Sequence, residues 1–279
     1  MKVFYTKVAL NTYLDTHKKN KQIGFIPTMG ALHEGHLSLL KKCNEENDIS
    51  VVSIFINPTQ FDNPADLVKY PKTFQEDTKL LESAQCDVLF APDVKEIYAE
   101  NITATSFDFD GLEQEMEGRF RTGHFDGVGT VVKRLFQIVV PNKAYFGEKD
   151  FQQLQIVKKM TKKQQLHVKV KGCEIYRAKN GLAMSSRNRR LTETQLLAAP
   201  FIFETLQKVK IKFKTKTPNG IIKWVEKEFA KQPLLNLEYF TIADEETLKN
   251  IEKKDEKTQY RAFIAVFAGE IRLIDNIQI

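Results

Sequence analysis

The chain has 279 residues, 42% of them apolar and 28% charged, enough for a full core and for one large domain plus one small one. Its 42 Lys and Arg exceed its 36 Asp and Glu by a modest net charge of +6, without the clustered bases on a recognisable module that a nucleic-acid-binding surface needs. No apolar run approaches the roughly 20 residues of a membrane-spanning helix.

The first two-thirds alternates short apolar strands with amphipathic helices. Residues 22–27 (QIGFIP) read as a strand. Residues 32–44 follow as a helix with Leu32, Leu37, Leu39 and Leu40 at helical spacing. Residues 49–56 (ISVVSIFI) form a near-continuous β-branched and apolar run, as in a strand buried on both faces. Residues 73–83 read as helix and 87–91 as strand. Val128, Val131, Val132, Leu135, Phe136 and Val139 mark the buried stripe of another helix, which Pro141 ends. Residues 144–146 form a short strand, 150–163 a helix with Phe151, Leu154, Val157 and Met160 inward, and 167–170 a further strand. Strands separated by helices imply a Rossmann-like, doubly wound parallel sheet, an α/β fold that binds ligands beyond the carboxyl ends of its strands.

The pattern changes after Cys173. Residues 192–213 look helical, although Val209, Ile211 and Phe213 alternate with Lys208, Lys210, Lys212, Lys214 and Lys216 in a way that also reads as a strand with a solvated face. Residues 221–230 form a helix carrying Trp224, and 237–243 and 260–268 are strands around the charged stretch 244–257. The expected division is therefore a Rossmann-like domain over 1–173 and a smaller α+β domain over 174–279. Cys43, Cys86 and Cys173 lie far apart with no C-x-x-C, which argues against a disulfide framework or zinc ribbon and for small buried hydrophobes. Thr6 and Lys7 interrupt any signal-peptide core, so a reducing cytoplasm is expected.

Four segments at strand ends carry chemistry. In 27–36 (PTMGALHEGH) a strand ends, the chain turns at Gly30 and a helix begins. Free backbone N–H groups and the positive end of that helix are expected to face phosphate. His33 and His36, three apart, share one helix face, and Gly35 leaves room for a flat ring to approach. The spacing differs from the i, i+4 pair of a zincin, and no Walker loop is present. In 147–150 (GEKD), Lys149 offers a point charge to a triphosphate, Asp150 is placed as a helix cap, and Gln153 faces the same way. In 184–188 (MSSRN), two hydroxyls and a guanidinium can bind phosphate oxygens. In 57–61 (NPTQF), Gln60 offers both donor and acceptor to a hydroxyl or carboxylate.

The first segment resembles the His-x-Gly-His signature of nucleotidylyltransferases and class I aminoacyl-tRNA synthetases. Together the segments resemble the pantothenate synthetase family within that superfamily. The resemblance rests on IPTMGALHEGH (26–36), SIFINPTQF (53–61), YPKTFQED (70–77), EGRFRTGHFDGVGTVV (117–132), YFGEKDFQQL (145–154), RAKNGLAMSSRN (177–188) and LIDN (273–276). One departure is Thr122, where the family has Pro.

The resemblance implies ATP-dependent condensation of pantoate with β-alanine through a pantoyl-adenylate, releasing AMP and pyrophosphate. It implies that Met29, Gly30, Ala31, Leu32, His33, Glu34, Gly35 and His36 cradle ATP, with His36 as the acid. Gly147, Glu148, Lys149, Asp150, Met184, Ser185, Ser186 and Arg187 also contact ATP, and the backbone at Tyr176 meets the adenine. On the same basis His36, His33 and Lys149 are catalytic. Gln60 holds pantoate and β-alanine, and Gln153 holds pantoate. Glu76 and Asp77 lie near a phosphate-bridging Mg²⁺, and the enzyme is a homodimer. Because the Met184–Arg187 loop lies beyond the domain boundary yet has to reach phosphates held by the first domain, the C-terminal domain is expected to act as a lid. A nucleotidylyltransferase shares the His-x-Gly-His helix but has no need of Gln60, Gln153 and the GEKDFQQL segment. A non-catalytic RNA-binding module would need a basic groove that this dispersed charge does not supply.

Overall fold

A computed structural model describes residues 1–61, 67–68, 70–99 and 101–279. The chain divides into two compact units, one of Met1–Glu148 with Gln152–Glu174 and one of Lys149–Phe151 with Ile175–Ile279.

The first unit is a six-stranded parallel sheet with helices. Its strands are β1 (Lys2–Phe4), β2 (Ile23–Thr28), β3 (Ile49–Ile54), β4 (Val88–Phe90), β5 (Lys143–Gly147) and β6 (Lys169–Cys173), in the order β1-β4-β3-β2-β5-β6. Val51, Val52 and their neighbours in β3 are fully buried, as the continuous apolar run requires. The strand order reverses between β2 and β5, which pair in parallel through Gly24 with Lys143 and Phe25 with Ala144. A doubly wound sheet opens its crevice at such a reversal. The carboxyl ends of β2 and β5, at Thr28 and Gly147, lie on either side of this switch point, and β2 leads into residues 29–36.

The helices of this unit are α1 (Lys7–Asp15), α2 (Glu34–Glu46), α3 (Phe74–Ser83), α4 (Val94–Tyr98), α5 (Met116–Phe120) and α6 (His124–Val139), followed by α7 (Phe151–Lys163). The stripe expected over 128–139 is buried in α6, which begins four residues earlier at His124. Helix α2 starts at Glu34, two residues later than expected, because Ala31 and Leu32 belong to the buried turn before it. At the end of α2, Glu46 accepts from Tyr145 Oη at 3.0 Å and pairs with Lys42 at 3.0 Å. The hydrogen bond from Lys42, then that from Tyr145, holds its carboxyl at about 2, well below the ordinary 4.5. Cys43 and Cys86 are buried, and burial pushes both thiols up to about 12; Cys173 is pushed up to about 11 for the same reason. Inert, space-filling sulfur is what their sequence setting implied.

The second unit is a three-stranded antiparallel sheet, β7 (Asn236–Asp244), β8 (Tyr260–Ala268) and β9 (Ile271–Gln278), in the order β7-β8-β9. Its core joins Ile242, Ile264 and Val266 of the sheet to residues of the helices α9 (Phe201–Phe213) and α10 (Pro218–Phe229). The single helix expected over 192–213 is two helices. Helix α8 (Glu193–Ala198) is opened by a reciprocal Thr192–Gln195 capping box, and Pro200, lacking an N–H, ends that ladder before α9 begins. The lysine run is helical: Ile202, Thr205, Leu206 and Val209 are buried at helical spacing, whereas Ile211 is exposed. The apparent two-residue alternation is therefore a coincidence of a lysine-rich outer face. Among the described residues, no helix is long and apolar enough to cross a membrane.

Candidate active site

The turn after β2 is built from left-handed residues. Gly30 has φ 85° and Ala31 φ 51°, the second costing an alanine about 1 kcal/mol. That conformation is braced by Asp77, on the first turn of α3 and only 1% exposed. Its Oδ2 accepts from Ala31 N at 2.9 Å and its Oδ1 from Leu32 N at 2.8 Å, while Thr73 Oγ1 donates to Oδ2 at 3.1 Å. Gly30 N donates to Thr28 Oγ1 at 3.2 Å. The N–H groups expected to await phosphate are thus engaged by protein at Gly30, Ala31 and Leu32. At Ala31 and Leu32 the acceptor is a carboxylate 46 and 45 positions away in the sequence. Asp77 faces this backbone, while Glu76 beside it is exposed.

The histidines do two things at once. His33 is the cap of α2: its Nδ1 accepts from Gly35 N at 3.1 Å, and His36 Nδ1 accepts from His33 N at 3.3 Å. The two rings lie 4.1 Å apart between centroids. An Nδ1 that accepts carries no hydrogen, so each neutral ring holds its proton on Nε2 and is a donor there. The helix start therefore selects the tautomer suited to an anionic oxygen.

Gln60 sits in a single 3₁₀ turn, Pro58–Gln60, after β3. Its Nε2 donates to Met29 Sδ at 3.0 Å, which ties it to the 29–36 segment. Its Oε1 accepts from Asn57 Nδ2 at 3.2 Å, and Asn57, 1% exposed, is held in turn by Tyr98 Oη at 2.6 Å. The backbone oxygen of Gln60 accepts from His124 Nδ1 at 2.8 Å, and Arg121 Nη1 meets His124 Nε2 at 3.0 Å. No local pattern in the sequence marks Asn57, Tyr98, Arg121 or His124 as neighbours of Gln60. The EGRFRTGHFDGVGTVV segment was visible as a motif, but its contact with a turn some 60 residues earlier was not. Gly127 explains one of its glycines. A Cβ there would lie 2.2 Å from Thr59 O and 2.8 Å from Gln60 Cα, so only glycine lets α6 pass this close to the turn. Gln153 on α7 is half-buried, whereas Gln152 spends its amide on Glu117 N, Leu112 O and Glu115 O. A Cβ at Gly147 would meet nothing within 4 Å, so crowding by protein does not explain that glycine.

In the second unit, Lys149, Ser185, Arg187 and Asn188 line one cleft with Arg272 and Asp275. The fold thus brings together two expected phosphate-binding segments that lie more than 30 residues apart. Lys149 pairs with Asp150 at 3.1 Å. The hairpin that presents Ser185 turns at Gly181, φ 90°, and Arg177 Nη1 donates to Gly181 O at 3.1 Å. The backbone oxygen of Tyr176 accepts from Met184 N at 3.0 Å. Ser185 caps the 3₁₀ turn Ser186–Arg190 by accepting from Arg187 N at 3.3 Å, which directs Ser186 and Arg187. Among the described residues there is no group of three or more His, Cys, Asp or Glu side chains that could hold a metal ion.

A family model described as pantoate-beta-alanine ligase matches residues 2–278. A Flavobacterium psychrophilum protein described as pantothenate synthetase is 51% identical, with all of both chains covered. The crystal structure of pantothenate synthetase from Thermus thermophilus superposes with a TM-score of 0.92 at 36% identity, covering 100% of this chain and 99% of that one. That of pantoate-beta-alanine ligase from Francisella tularensis, complexed with beta-gamma ATP and beta-alanine, gives a TM-score of 0.84 at 36% identity, covering 100% and 97%. With the motifs, the parallel sheet and the match from end to end all in agreement, the chain belongs to the pantoate–β-alanine ligase family.

Proposed function

We propose that this chain condenses pantoate with β-alanine at the expense of ATP, through a pantoyl-adenylate. The observation that carries the reading is the contact between Gln60 and Met29, which sets a hydroxyl-binding amide beside the turn that presents His33 and His36. A pantoate carboxylate oxygen attacks the α-phosphorus, and the bond to the β-phosphate oxygen breaks. Charge grows on the non-bridging oxygens and on the departing pyrophosphate.

Cations and N–H donors already in place stabilise that charge with little reorganisation. His33 and His36 donate from Nε2, and His36 gives its proton to the leaving group. Met29, Glu34 and Gly35 line the same turn, with Gly30, Ala31 and Leu32 shaping it. Lys149, Ser185, Ser186 and Arg187 bring positive charge and donors to phosphate oxygens. Gly147, Glu148, Asp150 and Met184 complete the ATP contacts, and the backbone at Tyr176 meets adenine. Gln60 and Gln153 orient pantoate, whose reacting carboxylate gains from being held near the phosphorus. The β-alanine amine, as the free base, then attacks the acyl carbon. AMP leaves, and the nitrogen loses a proton.

Glu76 and Asp77 fit a direct Mg²⁺ ligand pair poorly, since both Asp77 oxygens serve backbone N–H groups; a Mg²⁺ ion would instead be expected to arrive bound to ATP and would neutralise phosphate charge. Family resemblance supports a cytoplasmic homodimer, which light scattering on the purified chain checks. The central test is isotope exchange. Labelled pyrophosphate enters ATP when pantoate and Mg²⁺ are present and β-alanine is absent. Formation of ADP in place of AMP would overturn the mechanism.

A further inference from the structure

Residues 149–151 group with the second unit although both their sequence neighbours belong to the first. Two buried side chains of that unit hold them. Asn276 on β9 is 2% exposed, and its Nδ2 donates to Lys149 O at 3.0 Å. Arg261 on β8, 6% exposed, lays its guanidinium over the Phe151 ring at 4.0 Å. Arg261 is anchored by Glu245 at 2.7 Å and donates from Nη1 to Asn276 Oδ1 at 2.6 Å. A guanidinium only donates and a backbone carbonyl only accepts, so the amide of Asn276 has one possible orientation, and neither of its ends can be exchanged. Asp275 steadies the pair: its Oδ1 accepts from Asn276 N at 2.8 Å, and both its oxygens accept from Arg177, at 2.6 and 2.9 Å.

We infer that Asn276, fixed by Arg261 and Asp275, is a positioning residue for Lys149, setting the backbone from which the lysine reaches triphosphate. The LIDN segment is then part of the catalytic apparatus through this carbonyl, although none of its own side chains needs to touch substrate. The inference rests on the proposed role of Lys149 in adenylation. It predicts coupling that a merely structural asparagine would not show, because displacement of a reacting group by about 1 Å is enough to cost roughly a hundredfold in rate.

The test is a double-mutant cycle read by pantoate-dependent pyrophosphate–ATP exchange, with thermal unfolding of each variant. Asn276→Asp keeps the acceptor for Arg261 and replaces the donor to Lys149 O with a repelling oxygen. Its exchange rate is expected to fall about tenfold or more, with the pantoate KM unchanged. In the Lys149→Ala background the same substitution should have almost no further effect, since there is no ammonium left to place. Phe151→Leu removes the second hold and should show a smaller loss with the same coupling. That variant decides the matter if Asn276→Asp does not fold. A normal Lys149→Ala loss combined with full additivity overturns the inference alone. Near-normal exchange in Lys149→Ala by itself overturns the role of Lys149 and the inference with it.

Discussion

Asp77→Asn separates two roles for one carboxylate. The substitution preserves shape but turns one oxygen into an amino group. If the remaining oxygen keeps Leu32 N, now at 2.8 Å from Oδ1, the amino group faces Ala31 N, now at 2.9 Å from Oδ2, and two donors oppose each other. A hydrogen bond to a charged group contributes about 1.5–3 kcal/mol, and a buried donor left without an acceptor costs about 1–3 kcal/mol. The expected destabilisation is roughly 2–4 kcal/mol, which in a unit of this size lowers the melting temperature by about 6–12 °C. The left-handed Ala31 loses its brace, and the histidine caps two and five residues on lose their origin. Pyrophosphate exchange should fall at least tenfold, in the range that removing a preorganised donor costs. The assay is calorimetric unfolding beside exchange kinetics across a Mg²⁺ titration. A wild-type melting temperature, with activity restored by excess Mg²⁺ or by Mn²⁺, would refute the reasoning and return Asp77 to the metal.

Two other substitutions probe different parts of the first unit. Gly127→Ala drives a methyl into the backbone at Thr59 and Gln60, so the pantoate KM should rise about tenfold with the ATP KM little changed, and steady-state kinetics with each substrate varied decides it. Glu46→Gln tests the charge cluster at the end of α2. Its carboxyl sits at about 2 against an ordinary 4.5, a depressed value, so its stabilisation is full above about 4.5 and is lost as pH falls toward about 2. The variant should melt lower than the parent at neutral pH and converge with it through that window, and parallel curves down to pH 2 would count against it.

The sheet was legible where burial is symmetrical. The run in β3 has no polar face to confuse it, and the spacing in α6 has six apolar residues at one period. Strand β1 has three residues, and α1 buries only Leu10 and Leu14, too sparse a stripe to see. Strand β9 is not marked by an unbroken apolar run, since it carries Asp275 and Asn276, which are buried with partners supplied by Arg177 and Arg261. The site shows the same division. The closeness of the His33 and His36 rings follows from local spacing, although His33 caps the helix from outside it, and the place of Gln60 after a strand is local as well. The brace from Asp77 and the hold of His124 on Gln60 depend on contacts 45 and 64 residues apart, and local pattern carries no information about them.

The capping role of the histidines bears on any effort to make this protein more robust. Asn, Asp and Ser are better helix caps than His, each able to accept from the same backbone N–H that His33 Nδ1 now serves. A screen that rewards heat resistance alone would drift toward them at position 33. Each such replacement would secure the helix while discarding the ring N–H that the proposed chemistry uses. On the proposed chemistry, the present residue is a compromise between tolerance of heat and turnover, concentrated in one five-membered ring.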